Sequence, residues 1–204
     1  MKNPRNILIT GASSGIGEAL ALNYAETGAL LFLCDRHGEQ LDAVAEACRH
    51  RGATVFPRIL DVTDLRACKR WVAGSDREHL LDLVIANAGV SAGAGGKEEN
   101  AEQARHIFAV NVEGVLNTVL PVLPFMRARH RGQIAIVSSV ASFLGMPWAP
   151  AYCATKAARI IRKGLERNKP RITFPWPMAV AVWMATIMPP SLMDPLMRQL
   201  PKKV

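Results

Sequence analysis

The sequence predicts an α/β fold with a doubly wound parallel sheet, because short apolar runs alternate with helical stretches along the chain. Strands without polar alternation are typical of parallel sheets that helices cover on both faces. Right-handed crossovers between such strands place helices on both sides of the sheet. The predicted strands are Asn6–Thr10, Ala29–Cys34, Ala53–Leu60, Leu80–Ala86 and Gln133–Ser138.

Local signals refine this prediction. Pro57 cannot donate a hydrogen bond to a neighbouring strand, so the third strand is expected at an edge of the sheet. A chain of 204 residues, 50% of them hydrophobic, is long enough to build the core of one domain. Helical periodicity, together with the breaker Pro170, predicts helices at Gly15–Gly28, Glu39–Arg51, Ala101–Arg129 and Ala151–Asn168.

Composition argues against several classes of protein. The net charge is +8, but no nucleic-acid motif accompanies it and aromatic residues make up only 6% of the chain. We therefore expect no nucleic-acid partner, and interpret the charge as a solvated helix face and a basic tail. Attraction to an anionic cofactor or a membrane surface is the alternative. The apolar run Ile7–Ile9 is too short for a signal peptide, which predicts a cytoplasmic protein, and the scattered cysteines predict no metal site.

A glycine-rich turn follows the first predicted strand. Glycines there permit a tight turn and a close approach of the backbone to a diphosphate, and the helix that begins there offers N–H groups and its positive dipole end. The spacing differs from the common Gly-x-Gly-x-x-Gly fingerprint, but its position between strand and helix favours dinucleotide binding. The residues expected to contact the cofactor are Gly11, Ser13, Ser14, Gly15, Ile16 and Gly17.

Two charged residues at the end of the second strand bear on the choice of cofactor. The carboxylate of Asp35 can accept hydrogen bonds from both hydroxyls of an adenosine ribose and would repel a 2′-phosphate, which favours NAD. The guanidinium of Arg36 would attract that phosphate, which favours NADP. We expect NAD or NADP, with NAD preferred; an exposed pair without any ligand is the alternative.

A tyrosine and a lysine stand four residues apart in the last predicted helix. Tyr152 and Lys156 therefore lie on one helix face, where the ammonium would stabilise the phenolate and lower the pKa of the tyrosine. Such a tyrosine can exchange a proton with a carbonyl or alcohol oxygen. Ser139, at the end of the fifth strand, could hydrogen-bond the same oxygen. By itself the pair could equally be a surface feature.

In combination, these residues resemble the short-chain dehydrogenases/reductases. The resemblance covers roughly residues 5 to 157 and rests on motifs in the family's order. They are Thr10-Gly11-x-x-x-Gly15-Ile16-Gly17, Asp61, Asn87-Ala88-Gly89, Asn111, Ser139 and Tyr152-x-x-x-Lys156. The resemblance implies a Rossmann-like fold and hydride transfer between a nicotinamide and an alcohol or ketone. The dinucleotide-binding domain would span residues 1–170, with 171–204 as an apolar C-terminal segment of the same domain.

The resemblance also implies roles for single residues. Asp61 and Val62 would contact the adenine, and the segment Asn87, Ala88 and Gly89 would pass beneath the cofactor. Asn111 would hold a proton-relaying water and complete a tetrad with Ser139, Tyr152 and Lys156. Family members are commonly dimers or tetramers, so a homo-oligomer is one expectation here.

The pattern of the family breaks after Lys156. A member would continue into a sixth strand that ends near a Pro-Gly pair, followed by a substrate loop, but no Pro-Gly occurs in the rest of this chain. The stretch Arg159–Phe174 instead resembles the family's later helix and last strand. We expect that a block between Ala157 and Arg159 is missing. In the family that block contacts the nicotinamide carboxamide and closes over the substrate.

The C-terminal segment and the missing block leave three functions open. The first is an active oxidoreductase on an apolar alcohol or ketone. The second is a catalytically impaired dinucleotide-binding protein. The third is a peripheral membrane scaffold, anchored by the uncharged segment before Met193 and its basic flanks. Prolines divide that segment, so it is too short to span a membrane; a lid, a dimer contact or an ordinary buried helix are its other interpretations.

Overall fold

A computed structural model of the chain describes residues 3–91, 99–139 and 149–155. The chain is divided into two compact units. The first contains residues 1–89 and 109–137, and the second contains residues 90–108 and 138–204. Lys156 and the predicted C-terminal segment lie outside the described residues.

The first unit contains the predicted parallel sheet. Its strands are β1 (Asn6–Thr10), β2 (Leu30–Asp35), β3 (Thr54–Ile59), β4 (Leu83–Ala86) and β5 (Gln133–Ile136). All neighbouring pairs are parallel, and the strand order is β3-β2-β1-β4-β5. This is the order of a Rossmann-like doubly wound sheet, so the predicted fold class is confirmed. Within the described sheet, β3 occupies an edge, as Pro57 predicted.

Helices of the first unit follow the strands in alternation. The first three are α1 (Gly15–Tyr24), α2 (Gly38–His50) and α3 (Leu65–His79). Helix α1 ends before the predicted boundary at Gly28, because Ala25 has an extended ψ of 94°. Helix α3 was not among the predicted helices, although its start carries a clear signal: the Asp64 carboxylate accepts a hydrogen bond from the Ala67 amide and caps the first turn.

The prediction of one continuous helix from Ala101 to Arg129 is wrong. The segment forms α4 (Ala101–Phe108), a π-helical turn (Ala109–Glu113), α5 (Gly114–Val119) and α6 (Leu123–Ala128). Pro121 lies in the break between α5 and α6. Proline lacks an amide hydrogen and its ring clashes with the carbonyl four residues earlier, which accounts for the interruption.

The core of the first unit is built from the strands and the inner faces of α1 and α2. Fully buried side chains of β1 and β2 form its centre, where both faces of the sheet are covered. A second cluster joins Ala86 of β4 to Val115 and Val119 of α5, with Ile134 and Ile136 of β5 packed against it. These contacts fix the carboxyl ends of the strands in relation to α5.

In the second unit, a helix carries Tyr152 and is labelled α7; its described part covers residues 150–155. The Glu99 carboxylate accepts hydrogen bonds from the backbone amides of Ala151 (2.6 Å) and Tyr152 (3.3 Å). A carboxylate at a helix N-terminus pairs with amides that have no partner within the helix. Glu99 therefore fixes the start of the helix that holds the tyrosine. None of the described helices is both long and apolar enough to cross a membrane.

A buried ion pair ties the amino ends of β4 and β5 together. The Arg129 guanidinium contacts the two carboxylate oxygens of Asp76 at 2.7 Å each and donates to the Leu81 carbonyl at 2.8 Å. The Asp76 side chain is only 4% exposed, and its Oδ1 also accepts from the Leu81 amide at 3.0 Å. Bidentate geometry with additional hydrogen bonds is the arrangement in which such a pair offsets its desolvation.

We expect Arg129→Met to lower the free energy of unfolding by about 3 kcal/mol, because it leaves the Asp76 carboxylate buried and uncompensated. Urea unfolding followed by circular dichroism measures the loss. Arg131→Met is the matched control: Arg131 contacts Asp82 at 2.9 Å, but its side chain is 69% exposed. That substitution should cost less than about 1 kcal/mol. Equal losses in the two variants would contradict the role given to the buried pair.

Candidate active site

The loop after β1 and the first turn of α1, together called the glycine loop (residues 11–17), are packed too tightly for side chains at two glycines. A Cβ at Gly17 would lie 1.9 Å from the Gly11 carbonyl oxygen, and a Cβ at Gly11 would lie 2.7 Å from the α-carbon of Ala88. Gly11 also has a φ of +68°, which disfavours any side chain. The close contact between the loop and the end of β4 therefore requires glycine at both positions.

The same loop leaves room where a diphosphate would lie. Gly15 has a φ of +57°, and a Cβ built there would meet no atom within 4 Å. Ser14 makes no side-chain capping bond at the start of α1, so it does not occupy the first-turn amides. The Ile16 side chain is 60% exposed. Open space, a helix N-terminus and an exposed apolar residue are together suited to an anionic cofactor. Ser13, by contrast, is buried.

Asn87 joins the carboxyl ends of β1 and β4. Its Nδ2 donates to the carbonyl oxygens of Thr10 (3.1 Å) and Gly11 (2.9 Å). In return, the buried Thr10 hydroxyl accepts from the backbone amides of Asn87 and Ala88, each at 3.2 Å. The connections from β1 and β4 leave in opposite directions at this point of the sheet, which is where doubly wound folds bind ligands.

Asp35 lies at the end of β2, beside the glycine loop. Its Oδ2 accepts from the Ser13 amide at 3.3 Å, and its Oδ1 accepts from the His37 amide at 3.1 Å and contacts the His37 Nδ1 at 2.9 Å. Burial acts to raise the pKa of Asp35, but hydrogen bonds from His37 and Ser13 outweigh it and hold the pKa below its usual value. The group is therefore ionised at neutral pH. Arg36 is exposed.

Residues expected near the adenine are held by helix α5. The Val62 side chain is buried against Gly114, where an added Cβ would lie 2.6 Å from the Val62 Cγ2. The Asn117 Nδ2 donates to the Val62 carbonyl at 2.9 Å. The Asp61 carboxylate accepts from the amide and hydroxyl of Thr63, both at 2.8 Å. Sequence reasoning did not identify Asn117, because an isolated asparagine in an apolar helix carries no recognisable pattern.

Three of the four expected catalytic residues are described, in different units. Asn111 is fully buried within the π-helical turn of the first unit, and such turns are frequent at functional sites. In the second unit, Ser139 and Tyr152 are both half-buried. The backbone amide of Tyr152 donates to the Glu99 carboxylate. The position of Lys156 relative to Tyr152 stays a prediction, and so does the assembly of the tetrad.

Comparison with known families decides the lineage of this chain. The sequence model described as short chain dehydrogenase matches residues 5–162, which is well over half of the protein. The chain belongs to the short-chain dehydrogenase family. The resemblance proposed from the sequence motifs is thereby confirmed.

Individual relatives in this family differ in how much of their length the chain covers. An uncharacterized oxidoreductase of Myxococcus xanthus is 32% identical, with coverage of 96% of this chain and 97% of the relative. A 3-oxoacyl-(acyl-carrier-protein) reductase FabG of Thermotoga maritima is 34% identical over 154 residues, which is 75% of this chain but 63% of the relative.

Solved structures of short-chain dehydrogenases share the fold. One from Burkholderia phymatum, in complex with NAD, is 30% identical with a TM-score of 0.72, over 79% of this chain and 58% of that chain. A 3-oxoacyl-(acyl-carrier protein) reductase of Brucella melitensis with bound NAD is 32% identical with a TM-score of 0.71, over 79% of this chain and 64% of that chain. The chain thus spans less than two thirds of these short-chain dehydrogenases.

The Myxococcus alignment locates the difference in length inside the chain. It extends over 246 positions although this short-chain dehydrogenase has only 204 residues. Since 96% of 204 residues is about 196, about 50 aligned positions have no residue here. The relative is matched over nearly its whole length, so these positions lie within the aligned region and not beyond its ends. That they form one missing block between Ala157 and Arg159 stays a prediction.

We expect Gly17→Ala to abolish the ordered glycine loop, because its methyl group would overlap the Gly11 carbonyl. Saturable binding of NADH should be lost, as measured by fluorescence titration of the purified variant. Gly74→Ala in helix α3 is the control, since a Cβ there meets no atom within 4 Å. It should leave binding unchanged and raise the free energy of unfolding by about 0.5–1 kcal/mol. Normal binding by Gly17→Ala would contradict the geometry of this loop.

Proposed function

We propose that this chain is an NAD(P)-dependent oxidoreductase that acts on an alcohol or ketone, with NAD as the preferred cofactor. The observation that carries the proposal is the glycine loop. Hydrogen bonds from Asn87 hold it against the end of β4, and the space next to Gly15 is free of protein atoms. The loop lies at the strand-order reversal of the sheet, where a dinucleotide would bind. NAD-bound structures of relatives in the same family support a nicotinamide cofactor.

The residues that would hold the cofactor surround this loop. Backbone amides at the start of α1 would bind the diphosphate, with Ile16 covering it. The ionised carboxylate of Asp35 would accept hydrogen bonds from the adenosine ribose, and would repel a 2′-phosphate. Asp61 and Val62 would border the adenine, and the segment 87–89 would pass beneath the cofactor. The preference for NAD rests on the hydrogen bond between Asp35 and the Ser13 amide, which places the carboxylate beside the loop, whereas Arg36 is exposed.

The catalytic step would depend on proton transfer by the tyrosine. The cofactor supplies hydride chemistry when bound. Tyr152 would exchange a proton with the substrate oxygen, while the Ser139 hydroxyl holds that oxygen in place. The Lys156 ammonium would stabilise the phenolate form of Tyr152, and Asn111 would hold the water that relays protons.

A second function is favoured by one observation, the absence of about 50 aligned positions relative to the Myxococcus protein. In the family, the stretch after the catalytic lysine closes over the substrate. Without it, the dinucleotide site of the first unit would remain while hydride geometry and water exclusion would suffer. The chain would then bind a dinucleotide without efficient turnover.

Titration with NADH and NADPH tests the cofactor assignment. We expect saturable binding of both, with NADH at least about tenfold tighter, because a 2′-phosphate next to a carboxylate is repelled by more than about 1.4 kcal/mol. Asp35→Asn is the matched variant and should reduce this preference. A wild-type preference for NADPH would overturn the choice of NAD, and binding of neither by the folded protein would overturn the proposed function.

Tyr152→Phe tests the catalytic assignment. We expect turnover of small alcohols and ketones to fall by about 10²- to 10⁴-fold, the usual contribution of a positioned acid or base. The dissociation constant for NADH should stay within about twofold, since a single hydrogen bond to the cofactor contributes little. Retained turnover would contradict the role of Tyr152. Saturable NADH binding with no turnover in the wild type would favour the second function.

A further inference from the structure

Three of the roughly four acceptor positions of the Asp35 carboxylate are already filled. A carboxylate offers about four lone-pair directions. Oδ1 accepts from the His37 amide at 3.1 Å and contacts the His37 Nδ1 at 2.9 Å, while Oδ2 accepts from the Ser13 amide at 3.3 Å. An adenosine ribose that donates two hydroxyls to Asp35 therefore has to displace an existing donor.

The histidine ring is the donor that can leave most easily. The Ser13 amide belongs to a buried loop residue, and the His37 amide belongs to the residue that precedes α2. The imidazole of His37, by contrast, is held only through rotatable side-chain bonds and is 52% exposed. An ionised carboxylate can only accept, so the ring donates through an N–H at Nδ1. Water can replace Asp35 as the acceptor for this N–H once the ring swings outward.

We propose that the His37 imidazole competes with the adenosine ribose for Asp35 Oδ1 and thereby weakens the binding of the dinucleotide. The inference rests on the proposed function, because it concerns the ribose position of the same cofactor site. It makes His37 a residue that sets cofactor affinity through Asp35. This competition weakens the binding of ligands that carry ribose hydroxyls and does not affect ligands that lack them.

Two substitutions of His37 separate hydrogen bonding from size. His37→Ala removes both the ring and its N–H, and His37→Phe keeps an aromatic ring but cannot donate to Asp35. Both should bind NADH about three- to tenfold more tightly than the wild type, the change expected when one competing hydrogen bond is removed. His50→Ala is the control, since His50 lies at the far end of α2, contacts Glu46 at 3.3 Å and is 78% exposed. It should leave the affinity unchanged.

Ligands that differ only in the ribose identify where the gain arises. ADP and 2′,3′-dideoxy-ADP are compared by displacement of NADH from the wild type and from His37→Ala. The gain should appear with ADP and be absent with the dideoxy compound, because only ADP donates ribose hydroxyls to Asp35. Thermal melts of each variant verify that the fold is retained.

Several outcomes would overturn the inference. Weaker NADH binding by both variants would mean that His37 orients Asp35 instead of competing for it. A gain with His37→Ala alone, or an equal gain with the dideoxy compound, would mean steric relief. Unchanged affinity in both variants would refute the competition while leaving the proposed function intact. A wild type that binds neither NADH nor ADP would instead refute the proposed function itself.

Discussion

The geometry of the candidate site depends on one contact, the pairing of the Asn87 side chain with the carbonyl oxygens of Thr10 and Gly11. Those carbonyls lie where β1 ends and the loop begins, so their amide partners within a strand are no longer available. An unpaired buried carbonyl costs free energy comparable to a lost hydrogen bond. One amide group satisfies both, and the close approach of Gly11 to Gly17 and Ala88 follows from the position it imposes. The glycine loop is therefore held on the side that faces Asn87, while the space next to Gly15 stays open.

Polar groups at the amino ends of the strands, opposite the candidate site, bind one another and the backbone. Four charged residues lie near this end: Asp76 in the last turns of α3, Asp82 just before β4, and Arg129 and Arg131 just before β5. Their hydrogen bonds go to one another and to backbone groups. Asp82 also accepts from the amides of Arg5 and Asn6 at the start of β1. Burial acts to raise the pKa of Asp82, but these amides and Arg131 outweigh it and hold the pKa below its usual value. The amino end of the sheet thus stabilises the fold, while the carboxyl end carries the candidate site.

Sequence reasoning predicted the parallel sheet and the edge position of β3, because apolar runs and a strand proline report burial and hydrogen bonding directly. It failed where one residue alters an otherwise regular pattern: the periodicity from Ala101 to Arg129 looks continuous, yet Pro121 ends α5. At the site, motifs identified the glycine loop and Asp35, since each is a local backbone or charge requirement. The roles of Asn87 as a link to the loop, of Glu99 as a helix cap and of His37 beside Asp35 depend on side-chain contacts. Two of these contacts join residues more than 50 positions apart, which no local pattern records.

Pro57 has a consequence for the behaviour of the protein in concentrated solution. An outer strand with a full row of backbone donors and acceptors is a template onto which a strand from another molecule can add, and this is a common beginning of aggregation. In β3 the proline removes one donor from the middle of that row, between Phe56 and Arg58. Phe56 is partly covered by stacking on Phe32, with ring centroids 4.8 Å apart, so less of its apolar surface faces outward. The residue that marks β3 as an outer strand therefore also interrupts uncontrolled growth of the sheet at this side.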